Sequence, residues 1–334
     1  KLMNILSSMN FTNKNILILG GLGFIGSNLA KKCVELGGKV TVVDSLDENC
    51  GGNIFNVEFF KDDIQLKQFN ILDDLALKDS LNNQDYVFNC AAHSSHGESM
   101  KNPSNNLDVN CRAVINILEI LKNNDDEAVF VHLGTTTQFG KLIYQPADEN
   151  HPEFPMDIYS AHKSLSEKYV LLYSAAYGMK NSVVRLPNTY GPRASIYSPN
   201  FTFNNYFIGL ALQNKNISVY GAGEQLRNNI YVDDAVDALI LSALSNKSMG
   251  QVFLATHNDH HTLSEIAEAT SSLGLGKVEY IDWPEDKKNI EVGHAVMSNQ
   301  KIKDVLNWTP GYSLQEGLDL AKEFFEPNLK YYIK

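Results

Sequence analysis

The sequence predicts an α/β fold in which a doubly wound parallel sheet is combined with a smaller C-terminal α/β lobe. Residues 15–19 (NILIL) form a short apolar run of the kind that a buried parallel strand has. A glycine-rich segment, residues 20–26, follows at once, and residues 27–36 then have helical spacing. A length of 334 residues allows one large α/β domain with an added lobe.

The composition is that of an ordinary soluble globular protein, with 43% hydrophobic and 20% charged residues. A net charge of −11 argues against nucleic acid or an anionic membrane as the main partner. Because no apolar run approaches the roughly 18 residues of a membrane span, no membrane partner is expected. The four cysteines form no C-x-x-C pair and the N-terminal residues show no secretory pattern, which favours reduced thiols in a cytoplasmic protein.

The glycine-rich turn predicts a binding site for a dinucleotide. Gly20, Gly23 and Gly26 lie where a strand turns into a helix, so the backbone can approach a pyrophosphate and the helix N-terminus offers free N–H groups. Phe24 and Ile25 are expected to share this contact. A glycine-rich turn without chemistry is the alternative, but the strand before it and the helix after it argue against that. The sheet is therefore predicted to be of the Rossmann type.

An acidic residue at the end of the second strand indicates which dinucleotide binds. Residues 39–43 (KVTVV) form the strand, and Asp44 closes it soon after the glycine turn. A carboxylate at this point accepts hydrogen bonds from the adenosine ribose hydroxyls and repels a 2′-phosphate, which favours NAD over NADP. An acid at a strand end can also simply begin a loop, but its position relative to the glycines favours the ribose contact.

Further strands are predicted in the first half of the chain. Edge strands are expected at residues 59–60 and 67–71, and buried strands at 85–90 and 128–133. Ala91, Ala92 and His93 follow the strand at 85–90, at the carboxyl end where a dinucleotide crosses the sheet. These three residues are therefore expected to contact the cofactor.

Tyr159 and Lys163 form a candidate catalytic pair. They are four residues apart on a predicted helix and therefore share one face. A free tyrosine titrates at about pH 10, so a tyrosine that acts as a base near neutrality needs positive charge nearby, here from Lys163 and a bound cofactor. By itself the spacing is a weak signal, because it also occurs on helices where both residues merely face solvent.

With these features the chain resembles the extended short-chain dehydrogenase/reductase family, specifically its nucleotide-sugar epimerases and dehydratases, over almost its whole length. The family's T-G-x-x-G-x-x-G motif corresponds to residues 19–26, with Leu19 in place of the threonine. Its aspartate–hydrophobic pair near the adenine corresponds to Asn70-Ile71, and its helix asparagine, which orders the active-site region, to Asn110.

The resemblance implies NAD as the cofactor. It also implies cofactor contacts from Ile71, Asn110 and Leu186, in addition to Tyr159 and Lys163. A homodimer formed through the helices that carry Asn110 and Tyr159 is a further expectation of the resemblance.

The turn at residues 134–140 (GTTTQFG) matches the family's serine/threonine-rich turn, in which the catalytic hydroxyl lies five residues before the final glycine. Counting back from Gly140 gives Thr135, which is expected to hold the sugar oxygen that Tyr159 deprotonates. The family's dehydratases carry Asp-Glu at the next two positions, and its decarboxylases keep a glutamate at the second. This chain has Thr136 and Thr137, which supply no useful acid or base. The cysteine and matching histidine of the epimerase/reductase type are not found.

The second half of the chain is predicted to bind the sugar nucleotide. Residues 185–193 (RLPNTYGPR) match the family's R-x-x-N-x-Y-G-P segment, in which Asn188 contacts the substrate. Arg227 is assigned to the substrate diphosphate, because a guanidinium binds two phosphate oxygens at once. The family's later R-x-x-D/E motif corresponds to Lys288 and Glu291, where lysine lacks the arginine fork.

Several histidines are predicted to be structural. His162 points to a different helix face from Lys163. His257, His260 and His261 lie in a polar loop without a cage of carboxylates, so no metal is assigned.

The sequence thus predicts an NAD-binding domain at residues 1–188, with a returning segment at about 229–250, and a nucleotide-sugar-binding lobe at 189–228 and 251–334. The predicted function is NAD-dependent epimerisation of a nucleotide-diphosphate sugar, at C4, through a transient 4-keto sugar. The alternatives are a nucleotide-sugar 2-epimerase, a 4,6-dehydratase and an NAD-sensing protein without catalysis.

Overall fold

The computed structural model describes residues 9–124, 127–285 and 291–333. Its strands are β1 Asn15–Leu19, β2 Lys39–Asp44, β3 Ile64–Gln68, β4 Tyr86–Asn89, β5 Val129–Thr135, β6 Asn181–Leu186, β7 Asn188–Tyr190, β8 Ile217–Tyr220, β9 Leu226–Tyr231, β10 Gln251–Leu254, β11 His260–Thr262 and β12 Val278–Ile281. Its α-helices are α1 Phe24–Glu35, α2 Asp74–Leu81, α3 His96–Lys101, α4 Pro103–Leu107, α5 Ala113–Asn123, α6 Ile158–Tyr177, α7 Phe203–Leu212, α8 Val232–Leu244, α9 Leu263–Ser271, α10 Gln300–Leu306 and α11 Leu314–Asn328.

A seven-stranded parallel sheet forms the centre of the molecule, in the order β3-β2-β1-β4-β5-β6-β10. The chain runs outward from β1 to β3, returns beside β1 with β4, and then continues in the opposite direction. This reversal between β1 and β4 leaves a crevice at the carboxyl ends of the strands, where α/β sheets bind ligands. The predicted Rossmann-type fold class is confirmed.

Alternating side chains of β1 supply two separate cores. Ile16 and Ile18 pack with α1 and α8 on one face of the sheet. Leu17 and Leu19 pack with α2, α5 and α6 on the other face. Because both faces are covered, the strand is apolar at almost every position, as the NILIL run predicts.

The second half of the chain adds two small sheets beside the carboxyl edge of the large one. In the first, β9 pairs with β7 in parallel and with β11 in antiparallel orientation; in the second, β8 pairs with β12. Asp234 of α8 connects this part to the C-terminal segment, since its carboxylate accepts hydrogen bonds from the backbone of Gly311 (2.7 Å) and Tyr312 (3.3 Å). The Trp308 indole donates to the Asp234 carbonyl at 3.0 Å.

The division of the chain into two domains stays a prediction. The segment that returns to the large sheet, predicted at about 229–250, extends further by one strand. β10, at 251–254, lies within the range assigned to the substrate lobe and nevertheless pairs with β6 at the edge of the large sheet. Its Val252, Phe253 and Leu254 are buried, as an additional strand of this sheet requires.

The prediction of an edge strand at Phe59-Phe60 is wrong. Both residues lie in a 3₁₀ segment, Ile54–Asp63, which begins where the Asn53 side chain accepts a hydrogen bond from the Phe55 backbone at 3.0 Å. Phe60 is buried there, whereas Phe59 is largely exposed, so the two adjacent aromatic residues do not form a strand. The second predicted edge strand, 67–71, lies three residues too late, since β3 is Ile64–Gln68. After β3 the Asn70 side chain accepts from the Leu72 backbone and turns the chain. Among the described helices, none has the length and apolar character needed to cross a membrane.

Candidate active site

A cavity of about 660 Å³ lies at the carboxyl edge of the large sheet and extends to the second half of the chain. It brings together most of the residues that the sequence singles out. Those lining it are Gly20, Gly23, Phe24, Ile25, Gly26, Asp44, Ile71, Ala91, Ala92, His93, Thr135, Tyr159, Lys163, Leu186, Asn188 and Arg227. Asn110 and Glu291 do not line the cavity, and Lys288 falls outside the described residues.

The glycine turn is shaped so that no side chain fits between its strand and its helix. Gly20 has a φ of +76°, and a Cβ on it would lie 2.6 Å from the Ala91 nitrogen. A Cβ on Gly26 would lie 2.2 Å from the Gly20 carbonyl oxygen. Gly23 begins α1 without a side-chain cap, so N–H groups of the first turn face the cavity unblocked by a side chain. This cradle fits the pyrophosphate of a dinucleotide such as NAD.

Asp44 is held at the end of β2 by the same turn. Its two carboxylate oxygens accept hydrogen bonds from the backbone of Leu22 (3.0 Å) and Leu46 (2.9 Å). Burial raises the pKa of Asp44 above its ordinary value, although these backbone hydrogen bonds oppose the effect. Each oxygen keeps a second lone pair, so the carboxylate can still accept from a ribose hydroxyl.

Asn110 fixes the loop after β4 from behind. Its side chain accepts from the His93 backbone N–H at 3.0 Å and donates to the His93 carbonyl at 3.1 Å. It therefore orders the cofactor wall without lining the cavity.

Three possible metal ligands meet near the same wall. Donor atoms of Asp47, Cys50 and His93 lie within 4.8 Å of one another. Burial, together with the charges of Asp47 and Asp44, raises the pKa of Cys50 to about 12. The thiol therefore keeps its proton at neutral pH, and a protonated thiol is a poor metal ligand.

Tyr159 and Lys163 project from the first turns of α6 into the cavity. Burial raises the pKa of Tyr159 above its ordinary value and the Asp157 charge adds to this, while a hydrogen bond from Thr135 opposes it. Burial also lowers the pKa of Lys163 to about 8. The protein alone therefore does not provide the lowered tyrosine pKa that a base needs, and further positive charge must come from a bound cofactor.

Lys163 has a partner that the sequence does not indicate. Its Nζ lies 3.1 Å from Nε2 of His132, which is buried in β5 and points to the same side of the sheet. Burial and the Lys163 charge keep the pKa of His132 well below its usual range, so the ring is neutral. Nε2, which also lies 3.2 Å from Ser166 Oγ, accepts from the ammonium in the tautomer that carries the ring proton on Nδ1, 3.3 Å from Nδ2 of Asn89.

The threonine turn is joined to α6 by hydroxyl groups. Thr135 Oγ1 lies 3.1 Å from Thr137 Oγ1 and accepts from the Thr137 backbone at 3.2 Å. Ser160 Oγ lies 2.9 Å from Thr137 Oγ1. Thr137 thus stands where the family's decarboxylases have glutamate, and its hydroxyl serves to fix the Thr135 side chain.

His96 is a cavity residue that the sequence reasoning missed. Its Nδ1 lies 2.8 Å from Oδ2 of Asp157, and its ring meets the Tyr159 ring edge to face, with centroids 5.0 Å apart. The only local signal is its place in the polar loop after β4, in which Ser95 caps α3. His162, in contrast, lies away from the cavity and bonds to Asn106 at 2.8 Å.

Arg227 lies on β9 and lines the cavity from the second half of the chain. One guanidinium nitrogen donates to the carbonyl oxygens of Gly293 (2.6 Å) and Leu226 (3.0 Å), and another pairs with Glu291 at 2.7 Å. Asn188 begins β7 beside it and donates to the Asn228 carbonyl at 3.5 Å. The guanidinium is held in place before any anion binds.

Comparison with known proteins places these features in a family. The model of the NAD dependent epimerase/dehydratase family matches residues 16–254. A putative UDP-glucose 4-epimerase of Methanocaldococcus jannaschii is 29% identical over 315 residues, which cover 94% of this chain and 99% of that protein. UDP-glucuronic acid decarboxylase 1 of Xenopus tropicalis is 28% identical over 327 residues, covering 95% of this chain and 73% of that protein. The crystal structure of Thermotoga maritima UDP-glucose 4-epimerase with UDP-glucose superposes with a TM-score of 0.84 at 28% identity, covering 94% of this chain and 99% of that one.

Proposed function

Since the chain belongs to the NAD-dependent epimerase/dehydratase family, we propose that it inverts the C4 hydroxyl of a nucleotide-diphosphate sugar through a transient 4-keto sugar. One observation carries the proposal. Thr135, Tyr159, Lys163 and Arg227 line the same cavity as the glycine cradle. In the proposal this cavity holds the dinucleotide at the glycine cradle and the sugar nucleotide at Arg227, with the hydroxyl groups between them.

Each side chain has a separate role in this proposal. The glycine cradle, Asp44 and the loop fixed by Asn110 would hold NAD, which would act first as the acceptor and then as the donor of the hydride. Tyr159 takes the proton of the sugar 4-hydroxyl and later returns it. Thr135 holds that oxygen, and the Lys163 ammonium stabilises the phenolate. Arg227 anchors the diphosphate. The 4-keto sugar turns about this linkage and presents the opposite face of C4 for the return of the hydride.

The residues after Thr135 favour epimerisation over the other reactions of the family. Loss of water or of carbon dioxide calls for an acid or base at these positions, whereas Thr136 and Thr137 supply neither. The Thr137 hydroxyl is in addition engaged with Thr135 and Ser160. One of the similar proteins is a UDP-glucuronic acid decarboxylase, but this similarity alone does not favour decarboxylation by this chain.

Two other functions are compatible with the same cavity. A 2-epimerase would use the same three side chains on another carbon, and a 4,6-dehydratase would leave a lasting 4-keto-6-deoxy sugar. A protein that only senses NAD has no use for a buried Tyr–Lys pair.

A substrate panel distinguishes these functions. The NAD-loaded protein is offered UDP-glucose, UDP-N-acetylglucosamine, dTDP-glucose, CDP-glucose and GDP-mannose, and proton NMR follows the configuration at C2 and C4. Inversion at C4 without a lasting keto product is expected for one or more members. Tyr159→Phe should retain NAD and lose turnover by about 100-fold or more, since proton transfer is removed. Inversion at C2, a lasting keto sugar or no turnover of any member would each contradict the proposal.

A further inference from the structure

We propose that His96, paired with Asp157, is a second acid–base group of this site and moves a proton at a carbon next to the transient ketone, C3 or C5. The inference rests on the proposed function, because it needs the 4-keto sugar. It adds a proton transfer that C4 inversion alone does not require.

Asp157 is placed to hold the histidine ring in one tautomer. Its Oδ1 caps α6 by accepting from the Ser160 backbone at 2.8 Å, and its Oδ2 lies 2.8 Å from Nδ1 of His96. Burial alone would raise the pKa of Asp157, but the hydrogen bond and charge of His96 and the hydrogen bonds from Ser160 outweigh it and lower that pKa. The carboxylate is therefore ionised, both toward a protonated ring and toward a neutral one whose Nδ1 proton it accepts; in the neutral ring the lone pair of Nε2 is free.

The Nε2 side of the ring is available to a ligand. Across the described residues, no side chain or backbone group makes a hydrogen bond to Nε2 of His96. The side chain is 42% exposed, and the residue lines the same cavity as Tyr159. A solvent-accessible basic nitrogen thus faces the space proposed for the sugar.

The two rings are close enough to serve neighbouring carbons of one sugar. Their centroids are 5.0 Å apart at an interplanar angle of 81°, so the edge of one meets the face of the other. C3 and C5 are each one bond from C4. Tyr159, Thr135 and His96 line one cavity, and in the proposal a sugar whose C4 oxygen lies at Tyr159 and Thr135 has C3 or C5 beside His96.

The chemistry of the keto sugar requires a base other than Tyr159. Once the tyrosine has taken the 4-hydroxyl proton it is a neutral phenol and cannot remove a second proton. Oxidation at C4 makes the hydrogens on C3 and C5 acidic, because the electron pair of the broken C–H bond moves into a C=C bond and the C4 oxygen takes the charge. Thr135 and the Tyr159 hydroxyl donate to that oxygen, and the proton goes to Nε2 of His96.

Return of a proton from His96 to the same carbon completes the step, with no oxidant or reductant beyond the bound cofactor. The proton on Nε2 exchanges with water before it returns, because the ring is exposed. The carbon next to C4 therefore acquires hydrogen from solvent, whereas C4 itself receives back its own hydrogen.

The alternative is that the His96–Asp157 pair has only a structural role and holds α3 against α6. His96→Asn separates the two roles, because the asparagine amide occupies the place of Nδ1 and still donates to Asp157 but has no basic nitrogen. Asp157→Asn is a second variant: it keeps an oxygen for the Ser160 backbone and cannot hold the ring as an ionic partner. His162→Asn, on the same helix but outside the cavity, is the control.

The experiment is done in D₂O with the NAD-loaded protein and the five sugar nucleotides of the panel. Proton NMR and mass spectrometry follow C4 inversion and deuterium at C3 and C5 in one sample. The wild-type protein and His162→Asn should incorporate deuterium at one of these carbons. His96→Asn should lower the ratio of deuterium incorporation to C4 inversion by about 100-fold or more, because it loses the basic nitrogen while Tyr159 and Thr135 remain. Asp157→Asn should also slow the incorporation.

Each outcome decides the question. C4 inversion without deuterium in the wild-type protein, or equal deuterium incorporation in His96→Asn, overturns the inference and leaves the proposed function standing. No turnover of any panel member overturns both. If His96→Asn loses C4 inversion together with its NAD or its thermal stability, the pair is a structural fastening and the inference is wrong.

Discussion

The Nζ of Lys163 lies 3.1 Å from Nε2 of His132, and both side chains are buried, Lys163 in the lining of the candidate active-site cavity and His132 behind it. A buried ammonium needs acceptors, and a neutral imidazole supplies one without adding charge. His132 is therefore positioned to keep Lys163 extended beneath the tyrosine. It acts through Lys163 and does not line the cavity itself.

Replacing His132 should impair catalysis through Lys163. His132→Leu removes the acceptor, and a hydrogen bond to a charged group contributes about 1.5–3 kcal/mol, so turnover should fall roughly 10- to 100-fold. His132→Gln can place an amide oxygen near the position of Nε2 and should restore most of the rate. Measured kcat for both variants checks this. Equal loss in the two variants would show that ring packing, and not the hydrogen bond, matters.

The activity should decline as the pH rises above about 8. Burial lowers the pKa of Lys163 from 10.5 to about 8, although Cys111, Cys90 and Glu167 act in the opposite direction. Only the ammonium form stabilises the phenolate, so deprotonation removes the active form. A profile of kcat/KM for the wild-type protein should show this limb, and its midpoint should move down in His132→Leu. A flat profile between pH 7 and 10 would contradict the role of Lys163.

The same pKa predicts the pH dependence of stability in the cofactor-free protein. Between about pH 8 and 10.5 the unfolded chain keeps the Lys163 proton while the folded chain has released it. The unfolded state then binds more protons, so the contribution of Lys163 to the free energy of unfolding rises with pH across this window, by up to about 3 kcal/mol. Urea unfolding of wild type and Lys163→Met at pH 7.5 and 10 measures it. The difference between the two proteins should grow in favour of the wild type at the higher pH.

The glycine cradle should be sensitive to a single methyl group. In Gly26→Ala the new Cβ would lie 2.2 Å from the Gly20 carbonyl oxygen, so the first turn of α1 has to move away from the strand. Titration calorimetry should show NAD affinity reduced by tenfold or more, which corresponds to about 1.4 kcal/mol. Gly97→Ala is the comparison, because it adds a methyl group elsewhere in the lining of the same cavity, where the Cβ meets no protein atom within 4 Å. Normal NAD binding by Gly26→Ala would rule out the cradle as the pyrophosphate site.

The features that sequence reasoning found are those whose signal is local. The run at Asn15–Leu19, the glycines after it and the Tyr–Lys spacing on α6 each lie within a few residues, so periodicity and turn chemistry reveal them. The doubly wound parallel sheet follows as well, because buried strands alternate with helices in the first half.

The features that were missed depend on pairings between distant residues. His96 and Asp157 are 61 residues apart, and His132 and Lys163 are 31 apart. In the sequence, Asp157 is no more than a helix cap and His132 one polar residue in an apolar strand. Asp157 and His132 become part of the site only because α3 and β5 pack against α6.

Arg227 is the side chain whose replacement should separate binding from catalysis. It lines the cavity from β9, where Glu291 at 2.7 Å and the Gly293 carbonyl at 2.6 Å fix its plane. Arg227→Lys keeps the charge but loses the fork that binds two phosphate oxygens. Because the diphosphate is held equally in the ground state and the transition state, KM should rise about tenfold or more while kcat changes little. Arg112→Lys, which alters an exposed arginine paired with Asp108 at 3.0 Å, is the matched control and should leave both constants unchanged. A fall in kcat at unchanged KM in Arg227→Lys would place this arginine in the chemical step instead of at the diphosphate.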